Sequence, residues 1–233
     1  MRVISVYTFS SMKTSPEELV ERLNELNENE WWIKARYNKY WNEITGIFNY
    51  YITINDIIER FIPELTKHVT EFSNKKIRKS VRFFIDMEKR MVEIYRGHDK
   101  VTEQIKCLIE QTIRAKLEPL TLTPEQMIKI IKNNSSELTQ AYFTNVDGFM
   151  YEAYRGRHLE TNLSFLLKLR KYLNSLKIIS VKPKILYESL YPYQITINGN
   201  KGTIKFSGNN NKSKPRSEIR QIIYIISNAL RSG

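Results

Sequence analysis

Two pairs of turn residues constrain the fold of this chain more than any other feature. Asp147-Gly148 lies between the alternating segments 142–146 and 149–154, and Asn198-Gly199 lies between 194–197 and 202–206. A type I′ hairpin turn needs positive φ at both central residues, which Asp, Asn and Gly tolerate. The C-terminal half is therefore predicted to contain antiparallel β-hairpins.

A third hairpin is predicted from segments 81–85 and 91–95, which are rich in β-branched and aromatic residues and turn near Glu88 and Lys89. Each hairpin precedes a segment with apolar residues at helical spacing, at 101–117, 159–176 and 219–230. We predict an α+β fold, with antiparallel sheet built from repeated β-hairpin-then-helix units and helices on one face.

The phrase MVEIYRG at 91–97 recurs as MYEAYRG at 150–156, with five of seven letters identical. Each copy ends a predicted strand and precedes a predicted helix, so Gly97 and Gly156 are expected to turn the chain with positive φ. Arg96 and Arg155 then have two interpretations. They cover the sheet edge with their alkyl chains, or they grip phosphates on two sides of a nucleic acid.

Further elements follow from capping signals and composition. Ser15-Pro16 predicts a helix over 16–29, and Thr123-Pro124 predicts one over 124–132. Strands are predicted at 2–9 and 44–54, and a short helix at 56–62. The three tryptophans are expected to anchor a core. They are Trp31, Trp32 and Trp41.

The charge distribution suggests two halves. Residues 1–120 carry 20 Lys and Arg against 18 Asp and Glu, whereas residues 121–233 carry 17 against 7. We predict an N-terminal α+β subdomain at 1–120 with an acidic first helix, and a basic C-terminal α+β subdomain at 121–233. One continuous domain is the alternative. The net charge of +12 favours a polyanionic partner, although a basic surface also serves solubility alone.

Candidate phosphate contacts come from the predicted helix and loop surfaces. Lys168 and Lys171 share the polar side of the 159–176 segment, opposite its leucines, and the loop 208–216 leads cations into the last helix. The candidate nucleic-acid-binding residues are Arg96, Arg155, Arg157, Lys168, Lys171, Lys205, Lys212, Lys214, Arg216 and Arg220. Neutralising phosphates with such side chains would make binding salt-dependent.

Catalytic motifs are missing from the sequence. It has one cysteine, three scattered histidines and no glycine-rich phosphate loop, so neither a metal site nor a cofactor is predicted. No apolar run approaches the about 20 residues that span a bilayer, and the single Cys107 suits a reducing cytoplasm. We therefore expect a cytoplasmic protein without a membrane partner.

Three functions are carried forward. The first is a non-enzymatic nucleic-acid-binding protein that grips phosphates with its basic C-terminal half, DNA in preference to RNA. The alternative is a protein-interaction or assembly subunit, docking through the acidic N-terminal helix and the basic C-terminal face on a partner protein or in a homo-oligomer. The third, least favoured, is a metal-dependent nuclease.

Overall fold

The computed structural model describes residues 2–12, 14–53, 76–96, 99–133, 137–182, 194–207 and 216–231. This part of the chain is a mixed α+β protein with antiparallel sheet. Its strands are β1 Arg2–Thr8, β2 Asn27–Glu28, β3 Trp31–Asn38, β4 Glu43–Thr53, β5 Lys76–Asp86, β6 Met91–Tyr95, β7 Glu118–Pro119, β8 Glu137–Val146, β9 Phe149–Arg155, β10 Leu176–Lys182, β11 Gln194–Asn198 and β12 Thr203–Ser207. Its α-helices are α1 Pro16–Glu25, α2 Asp99–Ile113, α3 Pro124–Asn133, α4 Leu163–Lys171 and α5 Arg216–Arg231.

The chain divides into two compact units. The central unit is Phe9–Leu117, and the terminal unit joins Met1–Thr8 to Glu118–Gly233. In the central unit the described strands lie in the order β2-β3-β4-β5-β6. In the terminal unit they lie in the order β1-β12-β11-β10-β8-β9, and β7 pairs with β1. The first strand of the sequence therefore belongs with its C-terminal half.

The core of the central unit follows from the alternation of its strands. Along β5, Val81, Phe83 and Ile85 are buried, whereas Arg82 between them is exposed. Successive strand residues point to opposite faces of a sheet, so Val81, Phe83 and Ile85 share an apolar face, whereas the opposite face carries the exposed Arg82 together with the buried Phe84 and Asp86. Leu19 and Leu23 of α1 are fully buried and provide apolar cover for the core.

Several local predictions are confirmed. The Glu18 N–H donates to Ser15 Oγ at 3.2 Å and caps α1, while Thr123 and Gln126 exchange two hydrogen bonds at the start of α3. Asp147 has φ 48° and Gly148 has φ 83°, as a type I′ turn requires. Local hydrogen bonding and backbone sterics decide these features, and both can be read from adjacent residues.

Other local predictions are wrong. Helix α1 ends at Glu25 rather than at 29, because residues 27–28 pair with β3 instead. The hairpin predicted around Asn198-Gly199, by contrast, is present, with residues 199–202 between its two strands. Asn198 faces Thr203, and the loop between them is closed by Asn198 Oδ1, which accepts from the N–H groups of Asn200 and Lys201 at 3.0 and 3.1 Å.

The structure interrupts the predicted helix over 159–176. It is divided into the 3-10 turn Leu159–Thr161, the nine-residue α4 and the 3-10 turn Leu173–Ser175, and Leu176 already starts β10. The repetition of a hairpin-then-helix unit is accordingly not confirmed. Gly156 lacks a positive φ, and the left-handed residue nearby is His158 at φ 51°. Gly97 and the predicted helix at 56–62 lie outside the described residues.

The prediction that the tryptophans anchor the core holds for Trp31 and fails for Trp41. Trp31 stacks on the buried Phe48 with ring centroids 5.5 Å apart, in keeping with a core anchor. Trp41 is 49% exposed, and its ring forms a T-shaped contact with the exposed Tyr40 ring, so its prediction as a core anchor is wrong. No described helix is long and apolar enough to cross a membrane.

Replacing Gly46 of β4 tests the packing of the core of the central unit. It faces Phe83 across the strand pair, and a Cβ at Gly46 would lie 2.0 Å from the Phe83 ring. We expect Gly46→Ala to lower the free energy of unfolding by about 1–3 kcal/mol, since the buried ring must move. Urea unfolding followed by circular dichroism measures the change.

Gly156→Ala is the matched control for this substitution. A Cβ there would approach only the end of the Leu159 side chain, at 3.2 Å, and the backbone φ is not in the left-handed region. Gly156→Ala should cost less than Gly46→Ala. Equal stability of the Gly46→Ala variant and the wild type would contradict the packing of Phe83 over Gly46.

Candidate nucleic-acid interface

Lys168, a predicted phosphate contact, is engaged by two acids of the neighbouring hairpin. Its Nζ lies 2.6 Å from Asp147 Oδ2 and 2.8 Å from Glu152 Oε2, and its side chain is 16% exposed. Tyr172 also donates a hydrogen bond to Asp147. The charge of Lys168 is therefore balanced by two carboxylates within the terminal unit, and its contact with phosphates stays a prediction.

The orientation of α4 explains this outcome. Phe165 is buried, with its ring centroid 6.2 Å from that of Phe143 and 5.6 Å from that of Tyr154. The Lys168 side of the helix consequently faces the β8–β9 hairpin, while Leu163 is 71% exposed and Leu167 60% exposed. Among the leucines expected to form the buried side of a helix, Leu163, Leu166 and Leu167 are exposed, whereas Leu159 and Leu176, which lie outside α4, are buried.

The hairpin cluster of Asp147, Glu152, Lys168 and Tyr172 shifts the ionisation of its members. Hydrogen bonds from Lys168 and then Tyr172 lower the pKa of Asp147 from 3.8 to about 2. The hydrogen bond from Lys168 also lowers the pKa of Glu152, and the hydrogen bond to Asp147 raises the pKa of Lys168. All three shifts favour the charged forms, so the cluster acts as an internal ion-pair network.

The remaining predicted residues have varied surroundings. Arg157 and Lys171 are exposed, and Lys171 lies 3.7 Å from Asp147 and over the Tyr172 ring. Arg155 is exposed and donates to the Tyr142 hydroxyl at 3.2 Å.

Among the others, Arg96 is exposed and pairs with Asp99 at 2.7 Å. Lys205 in β12 and Arg216 and Arg220 in α5 are partly buried. Lys212 and Lys214 lie outside the described residues. Of the predicted residues, Lys168 and Lys171 are brought together, by their shared contact with Asp147.

A cationic surface that the sequence reasoning missed lies on the central unit. We call it the basic sheet face, and it comprises Trp32, Lys34, Arg36, Tyr51, Arg78 and Arg82. The four cations are exposed, and Tyr51 is 37% exposed. In the described part of the chain no ion pair joins any of these four cations to a carboxylate.

Strand register places these side chains on one face. Lys34 faces Ile47, and Ile47 faces Arg82, so the three form a row across β3, β4 and β5. Neighbouring strands lie about 4.8 Å apart, which puts the Lys34 and Arg82 backbones about 10 Å from each other. Arg36 is one side-chain repeat further along β3, about 6.8 Å from Lys34.

The rings of this face form a cluster beside the cations. The guanidinium of Arg78 lies 5.0 Å from the centroid of the Trp32 ring, and its Nη2 donates to Asn49 Oδ1 at 2.8 Å. The Tyr51 ring is 5.5 Å from the Trp32 ring, at an angle of 48°. Because Asn49 is 1% exposed, it is a fixed anchor for the guanidinium.

The sequence reasoning missed this face because it summed the charge along the chain rather than separately for each face of a strand. Residues 1–120 have nearly balanced charge, yet exposed acids such as Glu17, Glu18 and Glu21 lie on helix α1 while cations line the sheet. One signal was available. Lys34 and Arg36, and Arg78 and Arg82, recur at even spacing within their strands and so share a face.

Metal-ligating side chains and similarity to known proteins both bear on the chemistry of the site. In the described residues, no group of three or more His, Cys, Asp or Glu side chains could hold a metal ion. No protein-family model matches the sequence, and no curated protein matches it significantly.

The hairpin cluster predicts a particular acid sensitivity. The Asp147 pKa is about 2 in the folded protein against an ordinary 3.8, so its ionisation stabilises the fold above pH 3.8, and this contribution is lost as the pH falls through about 2. Asn also suits this turn position, so Asp147→Asn removes the charge and keeps the turn. We expect the wild type to have the higher Tm at pH 7 and the difference to shrink between pH 4 and pH 2.

Thermal unfolding across this pH range, followed by circular dichroism, measures the difference. Glu21→Gln is the control, since it removes an exposed carboxylate of α1 that has no ion pair among the described residues. A Tm difference for Asp147→Asn that stays constant from pH 7 to pH 2 would contradict the ion-pair network.

Proposed function

We propose that the protein is a non-enzymatic nucleic-acid-binding protein and that the basic sheet face is its principal contact surface. The supporting observation is the row of exposed cations on β3 and β5, with which no described carboxylate forms an ion pair. Phosphates bound by such side chains release condensed counterions, which favours association at moderate salt. DNA is the first ligand to test, ahead of RNA.

The aromatic side chains favour nucleic acid over other polyanions. Trp32 and Tyr51 lie among the cations, and both are partly exposed. Proteins that bind nucleic acid strands combine a cationic surface for phosphates with rings for bases. An anionic polymer without bases would use only the cations.

The C-terminal cations are proposed as a secondary contact. Arg155, Arg157 and Lys171 are exposed, so they remain accessible to phosphates. Lys168 contributes less, because Asp147 and Glu152 already balance its charge. The contribution of Lys212 and Lys214 to phosphate binding stays a prediction.

Two triple variants with the same loss of charge test the location of the site. The sheet variant carries Lys34→Gln, Arg36→Gln and Arg82→Gln, and its control carries Arg157→Gln, Lys171→Gln and Lys205→Gln. We expect the sheet variant to bind oligonucleotides more weakly and to lower the slope of log affinity against log salt by about 2 to 3. Fluorescence anisotropy across a salt series measures both quantities.

The control variant should lose less affinity than the sheet variant at every salt concentration. A larger loss in the control would move the principal contact to the C-terminal half. Wild-type affinity in both variants, or no oligonucleotide binding by the wild type, would contradict the proposed function. Circular dichroism establishes first that both variants are folded.

An assembly subunit is the second candidate function, supported by a different surface. Met150 on β9 is 84% exposed, Phe149 and Tyr151 flank it, and Leu163 and Leu167 are exposed on α4. Among the described strands β9 pairs only with β8, so its other edge has no strand partner in the described part of the chain. Exposed apolar side chains beside a strand edge favour association with another chain.

Met150→Glu with Leu167→Glu tests this second function. If the exposed residues mediate self-association, the wild type has a higher mass by light scattering than the double variant, and its mass rises with concentration. Lys129→Glu with Lys201→Glu is a control that introduces two acids elsewhere in the same unit. A monomeric wild type at all concentrations excludes the homo-oligomer.

A further inference from the structure

We propose that the basic sheet face takes single-stranded nucleic acid and stacks an unpaired base on the cluster of Trp32, Arg78 and Tyr51. This inference rests on the proposed function and names the strand form that the same surface recognises. The decisive feature is a planar guanidinium that its neighbours already hold beside the Trp32 ring.

Arg78 is held on two sides. Its guanidinium lies 5.0 Å from the centroid of the Trp32 ring, and its Nη2 donates to Asn49 Oδ1 at 2.8 Å. Asn49 is buried and in register with Trp32, so anchor and ring are fixed by the same strand pair. The side chain is nevertheless exposed, and a guanidinium plane is a surface on which a base stacks.

Tyr51 extends the same platform. It faces Arg78 in the register of β4 and β5, and its ring centroid lies 5.5 Å from that of Trp32. The cluster thus offers two rings and one guanidinium within a single cross-strand neighbourhood. Since every base has a π face, such a platform accepts bases without selecting a sequence.

The cations lie on one side of this cluster along the strands. From Trp32, β3 continues to Lys34 and Arg36, and from Arg78, β5 continues in the same direction to Arg82. Successive outward residues of a strand are about 6.8 Å apart, so cations follow the rings in short steps. A single-stranded nucleic acid with one base stacked on the platform would have its neighbouring phosphates beside Lys34, Arg36 and Arg82.

Duplex nucleic acid does not match this arrangement. Its bases are paired and stacked on one another, and their π faces become available only when they are unstacked. A duplex would therefore contact the cations of the face without using the ring cluster. A single-stranded ligand should therefore bind more tightly than a polymer that has the same charge but no bases.

Three probes of equal length separate charge from stacking. They are an oligothymidine, an abasic deoxyribose-phosphate oligomer and a duplex. We expect the wild type to bind the oligothymidine about tenfold more tightly than the abasic oligomer, in line with the stacking of a base on an aromatic platform. The duplex should bind no more tightly than its phosphate charge alone accounts for, because its bases are not free to stack on the protein.

Two substitutions that keep charge locate the gain. Arg78→Lys removes the planar guanidinium from the Trp32 ring, and Arg82→Lys makes the same change on the same strand and face, away from the rings. Arg78→Lys should lose most of the preference for oligothymidine while it binds the abasic oligomer as the wild type does. Arg82→Lys should retain the preference. Thermal unfolding of both variants checks that they are folded.

Tryptophan fluorescence gives a second measurement, made without replacing Arg78. Oligothymidine should quench the emission of the wild type, the abasic oligomer should not, and Trp32→Phe should remove the oligothymidine quenching. Equal affinity for oligothymidine and the abasic oligomer, or equal effects of Arg78→Lys and Arg82→Lys, overturns base stacking and leaves the proposed function in place. Failure of all three probes to bind overturns both.

Discussion

The antiparallel register of β3, β4 and β5 is the constraint on which the basic sheet face depends. Cross-strand partners project from the same face, so pairing Lys34 with Ile47 and Ile47 with Arg82 gathers cations on one side. The same pairing sends Val81 and Phe83 to the buried side. A shift of one residue would exchange the two faces, and burying the cations would be far too costly. The Phe83 ring over Gly46 favours the observed register, because a larger residue at that point would clash.

The β8–β9 hairpin and α4 show the opposite use of charge. Lys168 and the acids Asp147 and Glu152 form ion pairs and hydrogen bonds that join the helix to the hairpin. Phe165 packs on the same side of α4 against Phe143 and Tyr154, so apolar and ionic contacts act together. The helix is held by one side, and its leucines are left in contact with solvent. A count of basic residues therefore overstates the charge available to a ligand.

The two surfaces differ in how they would respond to a polyanion. On the basic sheet face the cations have no described acidic partner, so binding phosphates does not require an existing ion pair to break. In the hairpin cluster a phosphate would have to compete with Asp147, whose lowered pKa reflects strong hydrogen bonds from Lys168 and Tyr172. Charged groups already satisfied within a protein gain less from a new partner. This difference supports our proposal that the principal contact lies on the central unit.

The sequence by itself determined the features that depend on near neighbours. It predicted the α+β composition with antiparallel sheet, the turn at Asp147-Gly148, and the caps at Ser15 and Thr123, because turn sterics and capping hydrogen bonds act over a few residues. Tertiary structure alone decided that β1 joins the C-terminal segment, that α4 exposes its leucines, and that cations 46 residues apart, such as Arg36 and Arg82, share a face. Those outcomes follow from strand pairing and side-chain packing between distant segments, and periodicity within one segment does not contain them.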